Sequence, residues 1–191
     1  MGRSQEDKAE SHELIVRTAA ARFREAGVEG VGVAELMKEA GLTHGGFYRH
    51  FASREDLVAE AVERALEDGS KRAMAVLASQ SPSPLALLVD GYLSAVHRDR
   101  LATSCAVTTL AGDVARGGDR ARSAYTRQVG AYLELLTRLI TADTEGTRRA
   151  RAITALATLV GAVSLARAVN DEKLSREILK SAADELKAHL G

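Results

Sequence analysis

An all-α fold is what this chain predicts, and three observations carry the reading. Apolar residues recur at spacings of three and four through most of its 191 residues, the repeat of a helix with one buried stripe. No window sustains the alternation of β-branched and polar residues that a half-buried strand needs. Prolines number two and aromatics make up 4%, in a chain rich in the strong helix formers Ala, Leu, Glu and Arg. At this length one domain or two small ones can bury a proper core.

The first helix is expected over 8–26, with Ile15, Ala19, Phe23 and Ala26 on its buried stripe and Gly27 ending it. Arg17, Arg22 and Arg24 lie off that stripe and read as a solvated face. A short amphipathic helix follows over 33–40, broken by Gly41, and a third over 43–51. Ser53 opens a fourth, with Glu55 and Asp56 placed to complement the dipole of its first turn, continuing to about Ala78. Residues 80–84, with Pro82 and Pro84, form the clearest break in the chain. Apolar helices are expected over 85–100 and 104–116, and Gly117-Gly118-Asp119 is a second break. A long amphipathic helix over 120–142, an alanine-rich one over 148–169 and a last one over 173–190 close the chain.

Charge and cysteine usage narrow the function classes. Lys and Arg balance Asp and Glu at 26 each, so the whole molecule has no electrostatic pull towards nucleic acid. Residues 1–70 carry nine basic and fourteen acidic side chains, 9 − 14 = −5. The single Cys105 excludes an internal disulfide and suits a reducing compartment. The first eleven residues are polar and no apolar run approaches the roughly 20 residues of a membrane span, so a cytoplasmic protein with no membrane partner is expected. HExxH, CxxC, GxSxG and GxxxxGK[ST] are all absent, so no catalytic residue, metal site or cofactor is assigned and the chain is not read as an enzyme.

Against this acidic background, residues 43–54 hold two Arg, two His and no acid. Helix, tight turn and second helix in this order is the arrangement that sets a recognition helix into the DNA major groove. Thr43 can cap that helix, and His44 is placed for a base edge. Gly45 and Gly46 let backbone approach the groove, at a cost in helix stability of about 0.5–1 kcal/mol each. Tyr48, Arg49, His50 and Arg54 offer donors to phosphates. Phe47 and Phe51, four apart, pin the helix to Leu36 and Phe23.

Residues 42–57, Leu-Thr-His-Gly-Gly-Phe-Tyr-Arg-His-Phe-Ala-Ser-Arg-Glu-Asp-Leu, resemble the signature of the TetR/AcrR family of bacterial transcriptional regulators. Ala20-Ala21-Arg22-Phe23 through Gly27, and Ala34-Glu35-Leu36 through Gly41, also match, so the resemblance covers roughly 10–70. It departs from the family at His44, where Lys is usual, at Gly46, and at Gly32, where a hydroxyl residue commonly precedes the second helix. The resemblance implies that Thr43, His44, Gly45, Gly46, Tyr48, Arg49, His50 and Arg54 contact double-stranded operator DNA. It implies an N-terminal three-helix helix-turn-helix domain over 8–55 and a C-terminal helical ligand-binding and dimerisation domain over 56–191. The function expected is a dimeric repressor released from a palindromic operator by a small molecule. The rival is a helical ligand-binding or interaction protein without sequence-specific DNA binding, which the acidic N-terminal balance favours.

One recognition helix buries too little surface for tight, specific binding, so a homodimer is expected. Its interface is placed on the helices over 120–142 and 148–169, through Leu133, Leu136, Ile140, Leu156, Leu159, Val160 and Val163. Large or polar residues that interrupt the middle helices mark the effector pocket: Met74, Tyr92, Val96, His97, Cys105, Thr108, Thr109, Tyr125 and Tyr132. With so few charges among them, the effector is expected to be apolar or aromatic.

Overall fold

Two glycines in the left-handed region shape the N-terminal third, Gly27 (φ 75°) and Gly41 (φ 71°). The first ends α1 (Gln5–Ala26). The second ends α2 (Val33–Glu39), where the Leu42 N–H reaches the Met37 carbonyl (2.8 Å) and the Gly41 N–H reaches that of Lys38 (3.0 Å). This double bond set satisfies the last orphan carbonyls and turns the chain sharply, and a residue with a Cβ adopts that φ only under strain. The computed structural model describes residues 5–78, 81–141 and 144–190, and among these every regular element is helical.

The third element is a 3-10 helix, His44–Arg49, where an α-helix over 43–51 was expected. Two consecutive glycines weaken α-helical propensity, and the tighter turn sets in. Ser53 caps α3 (Arg54–Ala78): its hydroxyl accepts from the Asp56 N–H (3.1 Å) and donates to the Asp56 carboxylate (2.9 Å). α3 crosses the expected domain boundary at 55/56 without interruption. Gln80, in the expected break, and Ala142, at the expected end of the helix over 120–142, lie outside the described residues.

The middle of the chain is more broken than expected. α4 (Pro84–Tyr92) and α5 (Ala95–Asp99) replace one helix, divided where Ser94 caps the His97 N–H at 3.1 Å. A 3-10 turn (Leu101–Thr103), α6 (Ala106–Thr109) and α7 (Ala111–Arg116) replace the next. α8 (Asp119–Leu139), α9 (Glu145–Ala168) and α10 (Glu172–Leu190) then pack in sequence.

Two apolar cores result. One gathers Ile15, Phe23, Leu36, Met37, Phe47, Phe51, Leu57 and Leu110 around α1, α2 and the first half of α3. The other gathers Leu85, Val89, Leu136, Leu159, Val163 and Leu179 around α4, α8, α9 and α10. Tyr92 and Tyr132 pack against both and form the seam. Against expectation, α9 is long and apolar enough to cross a membrane by length and composition, with a mean hydropathy of 1.3. Its leucines, valines and isoleucine dominate that value; in the fold Ala152, Ala155, Leu159, Val163 and Ala166 are packed inside the second core.

Candidate nucleic-acid interface and cavity

The 3-10 helix is amphipathic over a very short span. Phe47 and Phe51 are buried with ring centroids 5.4 Å apart, and they join Leu36 and Phe23 in the core as expected. Thr43, His44, Gly45, Tyr48 and Arg49 face solvent, and Tyr48 is 75% exposed. The Thr43 side chain makes no capping bond; its carbonyl accepts from the Gly46 N–H at 2.9 Å. A Cβ on Gly45 would meet no atom within 4 Å, and one on Gly46 would meet only ordinary contacts at 3.7 Å. Nothing inside the chain therefore requires glycine at 45 or 46.

Two residues expected to touch phosphate are engaged elsewhere. Arg54 donates to the Val28 carbonyl (2.6 Å) and to Glu29 (3.1 Å), tying the start of α3 to the loop after α1. His50 is half-buried, its ring 6.0 Å from that of His12, which itself bonds Glu60 at 2.6 Å. The arginines of α1 also depart from a uniform solvated face. Arg17 is exposed, but Arg22 lies within 3.2 Å of Glu25, Glu35 and Glu39, whose carboxylates raise its pKa. Arg24 is buried and donates to the carbonyls of Ala102 (2.7 Å) and Ala65 (3.2 Å). Arg49 is exposed and forms no ion pair among the described residues, so it is the cation best presented beside Tyr48.

The seam between the two cores holds a cavity of about 180 Å³. Of the nine expected pocket residues, Tyr92, His97, Cys105 and Tyr132 line it. Thr108 stands one bond behind, 2.6 Å from the Tyr92 hydroxyl. Thr109 and Tyr125 instead donate to the backbone carbonyls of Cys105 (3.2 Å) and Val107 (2.7 Å). Met74 and Val96 point outward, 60% and 58% exposed. The expected dimer residues are corrected more sharply. Leu136, Ile140, Leu156, Leu159 and Val163 are buried within the one chain, and Leu136, Leu156 and Leu159 are cavity walls. Leu133 and Val160 are partly buried against the second core. The sequence reading missed Leu87, Leu88, Leu135, Gly69, Ala73 and Gly91 in the lining, because leucines and small residues on an apolar helix look like ordinary core.

A short exposed helix, fastened by a buried aromatic pair behind a helix and a glycine turn, has the arrangement of a helix-turn-helix. Residues 15–61 match the family described as bacterial regulatory proteins, tetR family. Over 77 residues the chain is 38% identical to the A-factor receptor protein of Streptomyces griseus, a match covering 40% of this chain and 25% of that relative. The chain thus spans about a quarter of the curated relative's length. Two solved structures share the fold along the whole chain. A TetR transcriptional regulator from Chloroflexus aurantiacus superposes with TM-score 0.81 at 24% identity, over 97% of this chain and 98% of that one. NemR of E. coli in its reduced form superposes with TM-score 0.80 at 21% identity, over 95% and 97%. Residues 15–61 are thus similar to tetR-family regulatory proteins, and the chain shares the fold of these two solved structures.

Proposed function

We propose that the protein is a cytoplasmic, homodimeric repressor released from a palindromic operator by a small apolar or aromatic effector. The observation that carries the reading is the exposure of Tyr48, at 75%, beside His44 and Arg49, on a helix whose opposite side is locked by Phe47 and Phe51. On this reading Thr43, His44, Gly45, Gly46, Tyr48 and Arg49 meet the duplex, His44 at a base edge and Tyr48 and Arg49 at phosphates. Arg54 and His50 hold the helix in place. Residues 8–55 read DNA and 56–191 bind the effector and the second subunit, with α3 running through both.

The dimer face is the outer side of α9 and α10. Ile153, Ala157 and Leu165 are exposed and Gly161 half-exposed, each four residues from the next, and Leu174 of α10 is 43% exposed. Small residues between two large apolar ones allow close helix approach. A two-fold pair would present its recognition helices roughly 34–36 Å apart, one DNA turn. The effector can weaken binding only by its differential affinity for the two arrangements of that pair.

A mobility-shift titration of fragments from the source genome, at two salt concentrations, tests this. A discrete complex that weakens steeply with salt is expected, since bound phosphates release counterions. Tyr48→Ala should weaken binding to all sequences, and His44→Ala should change which sequence is preferred. No shift on any fragment at low salt would favour the helical ligand-binding protein without DNA recognition.

A further inference from the structure

The exposed side of the recognition helix donates hydrogen bonds and offers no carboxylate or carboxamide. From Thr43 to Arg49 the exposed residues are Thr43, His44, Gly45, Tyr48 and Arg49, and each of the four side chains carries an N–H or O–H. The two acids of the preceding helix, Glu35 and Glu39 of α2, are held by Arg22 of α1 at 3.0 and 3.2 Å.

Among these donors His44 is left uncommitted by the fold. Four of the five histidines have a neighbour. His12 bonds Glu60 at 2.6 Å, and the His50 ring stands 6.0 Å from that of His12. His97 bonds the Tyr92 carbonyl at 2.6 Å, and His189 pairs with Glu185 at 3.0 Å. The His44 ring makes no hydrogen bond, ion pair or ring contact among the described residues. It stands on the first turn of the helix beside Gly45, where even a Cβ would meet no atom within 4 Å. No neighbouring side chain therefore separates this imidazole from a base edge, while Tyr48 and Arg49, one turn later, reach the groove walls.

The bases differ in what they offer such a ring. Guanine presents two adjacent acceptors in the major groove, N7 and O6, so an N–H finds a partner at either atom. Adenine sets an acceptor beside a donor. The two nitrogens of an imidazole lie on diverging sides of the ring and cannot clasp that pair as a carboxamide does. Cytosine offers a donor, and the methyl beside the thymine acceptor would meet glycine instead of an apolar side chain.

We propose that His44 reads a guanine, through its N7 and O6 edge, at one position of each operator half-site. This guanine belongs to the operator of the repressor reading, so its assignment rests on DNA binding by that helix.

Selection of duplexes from a random-sequence library by the full chain at fixed salt, followed by titration of synthetic duplexes, tests it. The selected half-site carries a guanine whose preference disappears in selection with His44→Ala. With His44→Asn the preference moves to adenine, because a carboxamide pairs with both N6 and N7. Adenine in place of that guanine in one half-site weakens the parent protein about three- to tenfold. Inosine, which keeps N7 and O6 and lacks only the minor-groove amine, binds as guanine does. Tyr48→Ala weakens every duplex and leaves the preferred base unmoved, so general damage to the helix does not imitate the His44 variants. A motif unaltered by His44→Ala, a base other than guanine at the position that His44 controls, or a loss of affinity with inosine would each overturn the proposal and leave DNA binding standing. Failure to enrich any motif would sink the DNA reading and the guanine with it.

Discussion

The Tyr132 hydroxyl and Gly69 are held in a contact that only glycine permits, since a Cβ at 69 would stand 2.5 Å from that oxygen. The contact joins α8 to α3, the helix that starts beside the recognition helix at Arg54 and ends at the cavity. Gly69→Ala gains about 0.5–1 kcal/mol of helix propensity and spends a similar amount displacing the tyrosine from its rotamer. Thermal melts should therefore change by less than about 1 kcal/mol. A loss of more than about 2 kcal/mol would show that the tyrosine cannot move aside.

Arg24 ties α1 to the segment before α6 through the Ala102 carbonyl, and α1 to α3 through that of Ala65, with Asp68 at 3.7 Å. Arg24→Met keeps the volume but leaves buried acceptors without a donor. Urea unfolding should show a loss of about 2–4 kcal/mol, far more than removal of a surface arginine such as Arg17.

That arginine also explains which parts of the fold were legible in the sequence. Gly27, Gly41, Ser53 and the Phe47–Phe51 pair act through neighbours within a few residues, so α1, α2, the turn and the start of α3 could be read directly. The segment 97–116 could not. Its carbonyls at His97, Arg98 and Ala102 accept from Arg167 and Arg24, which lie 69 to 78 residues away. Such bonds substitute for helical ones and break the chain into short pieces with no local signature. Leu136, Leu156 and Leu159 were read as apolar, correctly, but an amphipathic stripe does not say whether a neighbouring helix, a cavity or a second subunit will cover it. The DNA-facing side was legible as a glycine-bearing, acid-free stretch, whereas the capture of Arg54 by Val28 and Glu29 depends on a loop that the motif does not encode.

Burial pushes the Tyr92 hydroxyl pKa well above that of an ordinary tyrosine, with Cys105 adding to the effect, and burial raises Tyr125 as well. A raised pKa stabilises the fold fully while the unfolded tyrosine is still protonated, and that contribution is lost as pH rises from about 10 towards the folded value. Denaturant midpoints should hold up to about pH 10 and then fall as the unfolded tyrosine ionises. Tyr92→Phe should be less stable at neutral pH, because Thr108 loses its 2.6 Å partner, yet decline less steeply in alkali. Equal slopes for both proteins would show that Tyr92 ionises freely.

Leu165 is 59% exposed on the outer side of α9, while Leu159 on the same helix is 2% exposed. If the outer side pairs two subunits, Leu165→Asp should yield a folded monomer in sedimentation, with operator affinity reduced at least about a hundredfold. Leu159→Ala should instead destabilise each subunit by about 2–4 kcal/mol through the cavity it enlarges. A dimer unaffected by Leu165→Asp would move the interface elsewhere.

Gly45 separates stability from DNA binding most sharply. Its φ is not positive and a Cβ there meets nothing within 4 Å, so Gly45→Ala strains no part of the chain. Alanine stiffens the unfolded state and favours the helical turn, and the variant should be more stable by about 0.4–1 kcal/mol in denaturant titration. The added methyl nevertheless sits on the surface that carries His44 and Tyr48, where backbone must approach the floor of the groove. Operator affinity should fall at least tenfold while stability rises, an opposition that no packing role for this glycine would produce. Were Gly45→Ala to bind its operator as well as the parent, close approach at this position would not be what the glycine is for.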